Sequence, residues 1–296
     1  MTTRGRWFSF FFRIKYLWAY ALLLLLAVAG LLVVQEMRTS AFQAQYFSNI
    51  SSKANFTVGA GASSAISFPP PAPYDDRLGY SKLPTYLGKL TSRDFEITRQ
   101  ARISEGMADI INEGYSAPYA EKTQSGLRIL DCRNDSLFQE RYPERIFEHF
   151  DDIAPILVQS LLFIENRELL DPEHPKRNPA VEWDRLANAV LLKAKGSLTG
   201  DSRSPGGSTL ATQIEKYQHS SEGRTASVHE KLQQMVSAAL RAYQQGEDTS
   251  AARRQIVLTY LNTMPLSAKA GFGEVQAWAT ACGFGMGVIS VMSAAS

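Results

Sequence analysis

At 296 residues the chain can hold two modest domains or one domain with appendages, and 45% hydrophobic against 20% charged residues excludes wholesale disorder. Thirty-one basic and twenty-nine acidic residues leave a net charge of +2, which excludes a dedicated nucleic-acid binder. Two cysteines, Cys132 and Cys282, make no disulfide framework, and the scattered histidines (His149, His174, His219, His229) offer no metal-ligand spacing.

Residues 16–34 run without a charge, long enough to span a bilayer core as a helix. Arg4, Arg6, Arg13 and Lys15 precede this run with no acidic residue among them, so the N-terminus is expected in the cytoplasm. A cleaved signal peptide is the alternative, with Ala-Val-Ala at 27–29 as a poor cleavage site. The length of the run favours an uncleaved anchor. Residues 1–36 are read as a cytoplasmic tail and transmembrane anchor of a single-pass protein. Its bulk then lies outside the cytoplasm, which in a bacterium is the periplasmic side of the inner membrane.

Residues 37–73 are rich in Ser, Ala, Gly and Asn and close on Pro-Pro-Pro-Ala-Pro, which predicts a linker with a stiff end. Residues 74–146 predict a small α+β segment: 94–104 and 126–132 alternate like strands, and 108–114 reads as a helical turn. This segment offers no catalytic constellation.

From residue 153 the pattern turns helical. The stretch 153–170 is apolar nearly all round, which predicts a buried helix, yet Glu165 stands near its C-terminal end. Desolvation and the negative helix terminus would both raise the pKa of that carboxyl, as a general base near neutral pH requires. The bland alternative pairs Glu165 with Arg167 or leaves it capping a surface turn. Residues 203–218 join a Pro-Gly-Gly turn to a Ser/Thr helix start, where Gly206 and Gly207 allow close approach and free N–H groups favour an anion. On that helix Thr209, Gln213 and Lys216 form a polar stripe beside an apolar one of Leu210, Ile214 and Tyr217. A cation beside such a turn suits phosphate or pyrophosphate. Two amphipathic helices follow, over 228–243 and 251–265.

The order Glu165, then Gly-Gly-Ser-Thr at 206–209, then Tyr-Leu-Asn at 260–262 resembles the peptidoglycan glycosyltransferases of family 51. These are the transglycosylase domains of penicillin-binding proteins and of monofunctional transglycosylases. The resemblance covers about 147–276. The family's first block, Glu-Asp-Arg with an aromatic and a His, meets Glu165, Asn166 and Arg167, with Leu169 for the aromatic and His174 displaced by two positions. The second block is matched by Gly206, Gly207, Ser208, Thr209, Gln213 and Lys216, and the fourth by Arg253, Ile256, Tyr260, Leu261 and Asn262. The third block departs: its acidic position holds Gln234, which can neither exchange a proton nor hold a divalent cation well. Glu230 shares a helix face with it one turn earlier and is the geometric substitute.

The resemblance implies a mainly α fold, a lysozyme-like glycosyltransferase lobe beside a membrane-dipping one. It also implies polymerisation of lipid II with inversion. Glu165 would be the base, with Gln234 and Glu230 as the candidates at the donor side. Arg167, Ser208, Thr209 and Gln213 would bind substrate, and Lys216, Arg224 and Arg253 would neutralise the pyrophosphate. No obligatory cofactor is implied; a divalent cation, Mg or Mn, at the pyrophosphate is the one candidate. The expected partners are lipid II, nascent glycan, the inner membrane and other cell-wall synthesis proteins, with no nucleic acid. With no Ser-x-x-Lys or Lys-Thr-Gly in the sequence, no transpeptidase site is expected. Two other readings stand beside the active transferase: a catalytically inactive, membrane-anchored protein that binds glycan or partners, and a glycan hydrolase. The pyrophosphate-type stripe argues against the hydrolase.

Residues 277–296 lose the family pattern and carry no polar helix face or cap. A change of reading frame near codon 276 is expected, making 277–296 an aberrant tail. Freely chosen synonymous codons, shifted by one base, give Gly-Leu-Gly-Asp-Gly-Leu-Trp-Val-Trp-Tyr-Gly, which resembles the family's next block. Such a chain would leave apolar surface uncovered, fold poorly and be inactive. Sequencing the gene across codon 276 tests this, and in-frame DNA on both sides would refute it.

Overall fold

The computed structural model describes residues 4–64, 66, 72–188, 192, 207–220, 223–269 and 273–279. The fold is mainly helical behind an N-terminal apolar helix, as the sequence predicts. Helix α1 (Arg4–Thr39) holds the apolar run, and its part Trp18–Thr39 is long and apolar enough to cross a membrane. Leu23, Leu26 and Val33 on it are exposed.

The expected linker contains an ordered helix. Helix α2 (Ala41–Ser51) follows α1 after one left-handed residue, Ser40 (φ 52°). The Glu36 carboxylate accepts the backbone N–H groups of Phe42 and Gln43 at 2.9 Å each, satisfying donors that a helix start leaves open. Ala44 is fully buried, and Phe47 stacks on Tyr243 at 6.0 Å between ring centroids. The Ser51 hydroxyl donates to the Leu240 carbonyl at 2.7 Å. Composition misleads here because small residues serve close helix packing as readily as flexibility.

Strand β1 (Phe56–Ala60) pairs antiparallel with β2 (Arg99–Ile103), Phe56 opposite Ile103, and α3 (Pro73–Leu78) and α4 (Leu83–Thr91) lie between them in sequence. Helix α5 (Glu105–Asn112) is capped by Ser104, whose hydroxyl accepts from Met107 N–H. Its Met107 and Ile110 pack with Ala54 and Leu240. Strands β3 (Ser125–Leu130) and β4 (Ser136–Tyr142) form an antiparallel hairpin.

The remaining helices hold the largest core. They are α6 (Pro155–Glu165), α7 (Leu210–His219), α8 (Val228–Ala242) and α9 (Ser250–Thr263), followed by the β5 (Pro265–Lys269) and β6 (Gly273–Gln276) pair. Val158, Leu210, Ile214, Val257 and Leu261 meet Leu169 there, each fully buried aliphatic side chain contributing about 1.5–3 kcal/mol. Helix α6 is not the buried helix expected: it packs through one side only, and Ile156, Phe163 and Ile164 are 63–69% exposed. Trp278, the second residue of the segment 277–296 expected to be out of frame, packs against this core. Residues 280–296 of that tail lie outside the described residues.

Candidate active site

The site forms where α6 ends. Glu165 is its last residue, and Asn166, buried, leaves helical geometry at φ −163°. The freed C-terminal carbonyls are met by Arg185, from a helical stretch over 183–188, which donates to the carbonyls of Glu165 and Ile164. A cation at this negative helix end is favourable, and Glu182 holds the guanidinium from the other side at 3.3 Å. Burial raises the Glu182 pKa against the pull of Arg185. No sequence motif marks Arg185.

The Glu165 side chain is half-buried and turned towards α7. Gln213 Nε2 donates to Glu165 Oε2 at 2.8 Å, and the Tyr260 hydroxyl donates to Gln213 Oε1 at 3.3 Å. Three helices thus fix one carboxylate through a relay of two hydrogen bonds, with the other oxygen left for a reacting group. Burial and the Glu165 charge both push the Tyr260 phenol up, so it stays a donor across the physiological range. The Tyr-Leu-Asn block is a clamp: Tyr260 reaches the relay, Leu261 enters the core, and Asn262 bonds both backbone groups of Phe147 (3.0 and 2.8 Å).

Beside Glu165 lies an open cleft of about 290 Å³ lined by Phe163, Ile164, Arg167, Asp184 and Arg185. Arg167 is exposed there and stacks over the Phe163 ring at 4.2 Å. Lys216, half-buried, follows Gln213 by three residues on α7 and so shares its face. Arg224 is exposed. Ser208 is half-buried just before the helix, whereas Gly206 lies outside the described residues.

Three expected substrate or donor-side residues have other work. Thr209 is 1% exposed and caps α7, exchanging hydrogen bonds with Thr212, so its hydroxyl is spent on the helix start. Arg253 is 2% exposed: it donates to the carbonyls of Leu169 (2.9 Å) and Asp171 (3.0 Å) and to the Ser250 hydroxyl, tying α9 to the chain after α6. It cannot reach a pyrophosphate. Glu230 accepts from Ala226 N–H (2.6 Å) and the Ser220 hydroxyl (2.7 Å), bonds that hold its carboxyl below the usual carboxylate range. A carboxylate so stabilised is a poor proton donor, which corrects its reading as the substitute acid. Gln234 is committed at both ends, its amide donating to Ser220 at 2.9 Å and its carbonyl accepting from Thr225 at 3.0 Å.

Among the described residues no three His, Cys, Asp or Glu side chains converge, and Gln234 offers an amide where the family motif has a carboxylate.

The transglycosylase family model matches residues 134–283, longer at both ends than the 147–276 marked out by the motifs. No curated protein matches the chain, and neither does any solved structure.

Proposed function

Since the chain belongs to the transglycosylase family, with a family 51 peptidoglycan glycosyltransferase-like domain, we propose that it polymerises lipid II into glycan strands on the outer face of a bacterial inner membrane. The supporting observation is the relay from Tyr260 through Gln213 to Glu165. It fixes the orientation of one carboxylate oxygen while the other faces a cleft, which is what a general base requires. Glu165 takes the proton of the acceptor sugar's 4-hydroxyl, the oxygen attacks C1 of the donor sugar from the opposite face, and the lipid pyrophosphate leaves with inversion. Lys216, Arg224 and Arg167 are the cations that remain to offset the pyrophosphate charge once Arg253 is assigned to the core. The exposed Ile156, Phe163 and Ile164 beside the cleft suit a substrate that carries a lipid tail. Helix α1 anchors the chain, N-terminus inside, so that enzyme and substrate share one membrane. Residues 147–276 carry the transferase unit, and 74–146 lead into it.

A specific observation favours the inactive, glycan-binding reading: Gln234 and Glu230 form a closed hydrogen-bond cluster around Ser220, with no proton to give a leaving group. One experiment separates the readings. Membrane-extracted full-length protein is incubated with labelled lipid II and the products are sized. Long glycan is the expected result, and it would refute the inactivity expected of a chain out of frame past 276, in line with a family match that runs on to residue 283; unchanged lipid II would favour the binding protein, and shortening of added glycan would favour a hydrolase.

A further inference from the structure

A second cavity lies behind α7. Gln213 reaches Glu165 from one face of α7; Glu215 follows Gln213 by two residues, about 200° around the helix, and Gln218 extends that opposite face. Both line a cavity of about 460 Å³ between α7, α8, α9 and residues 119–121, within the usual range for small-molecule sites. Its apolar wall is Ala211, Ile214, Ala238, Ala242 and Ile256.

The polar groups narrow the class of ligand. Glu215 and Gln218 are each 1% exposed. Glu215 Oε1 accepts from Arg241 Nε at 2.7 Å and the Ser116 side chain also stabilises this carboxylate, while Oε2 lies 3.5 Å from His219 Nε2 without a well-formed hydrogen bond. Gln218 Nε2 likewise has none among the described residues. A buried amide without a partner costs stability, so its place on a cavity wall points to a ligand that completes it. Arg241 offsets the Glu215 charge, and burial pushes the Glu121 carboxyl on the same wall up, towards its neutral form. A hydroxyl can accept from the Gln218 amide and also donate to the Glu215 carboxylate, and the alanine and isoleucine wall suits the C–H face of a ring.

We propose that this cavity binds a neutral sugar unit through its hydroxyl groups, as an accessory site separate from the Glu165 cleft. The site does not depend on polymerisation, so its test reads binding alone. Full-length protein in detergent micelles is titrated calorimetrically with N,N′-diacetylchitobiose. Saturable binding is expected. Gln218→Leu keeps the shape and removes the amide, and should weaken binding about 10-fold or more. Ala252→Phe, which fills the cavity from α9, should weaken it at least as much. Ala252→Phe carries the test alone if circular dichroism shows Gln218→Leu unfolded. No saturable binding up to about 10 mM sugar, or binding that survives the filled cavity unchanged, overturns the proposal.

Discussion

Glu165 and Gln234 are both polar side chains held by their neighbours, yet they lead to opposite expectations. Glu165→Gln keeps size and shape while removing the proton acceptor, so lipid II turnover should fall by about 10²-fold or more with no loss of thermal stability. Retention of most turnover would end the assignment of Glu165 as base. Gln234→Glu removes the donor to Ser220 and sets a second carboxylate against Glu230, which shares that hydroxyl. Thermal denaturation should show a loss of about 1–2 kcal/mol, and an unchanged midpoint would show that the cluster is not a closed unit. That Gln213 and Lys216 share one helix face is a matter of counting, whereas Glu165 stands out in the sequence only by its place at the end of an apolar run and by the family resemblance. The occupations of Thr209 and Arg253 were not legible: a hydroxyl at a helix start and an arginine in a motif look the same whether they bind substrate or the protein's own backbone. Only the burial of each side chain tells the two cases apart, and burial is set by residues far away in sequence.

Arg253 belongs to the scale of elements, since what it joins is α9 and the chain leaving α6. Arg253→Ala strips two backbone carbonyls of their donor and empties a buried volume, and should cost about 3 kcal/mol or more of stability. The fraction that stays folded should show an unchanged KM for lipid II; a raised KM with unchanged stability would return Arg253 to the binding site. The helices α7, α8 and α9 were readable because each carries a cap or a periodic apolar stripe. Ser227, for instance, accepts from Glu230 N–H at the start of α8. Helix α6 was read in type and position but not in environment. A run apolar on every side says that much of it avoids water; it does not say whether protein or lipid does the covering. Strand β1 was missed because its partner β2 lies some forty residues away and Phe56–Ala60 contains two small residues, Gly59 and Ala60, that dilute the alternation.

At the scale of the molecule, the apolar helix α1 and the site-bearing helices form one mechanical chain. Helix α1 passes to α2 through Ser40 alone, Glu36 on α1 caps α2, and α2 is packed on α8. The Ser40 hydroxyl also accepts from Asn178 N–H at 3.1 Å. Inserting Gly-Gly between Thr39 and Ser40 should leave the stability of the lobe nearly unchanged and preserve turnover in detergent. Turnover in lipid bilayers should drop several-fold. Equal turnover in both settings would show that the junction tolerates slack. The polar, small-residue composition of 37–73 concealed this junction, because a linker and a closely packed helix draw on the same residues.

In the proposed function, the single-residue junction at Ser40 sets the altitude and heading of the site over the bilayer. A catalyst on a slack tether samples every bearing above a bilayer and meets its substrate by chance orientation. One on a stiff mast, with its mouth at a constant height, admits only carriers that glide in sideways at that level and sends the growing strand out along a single course.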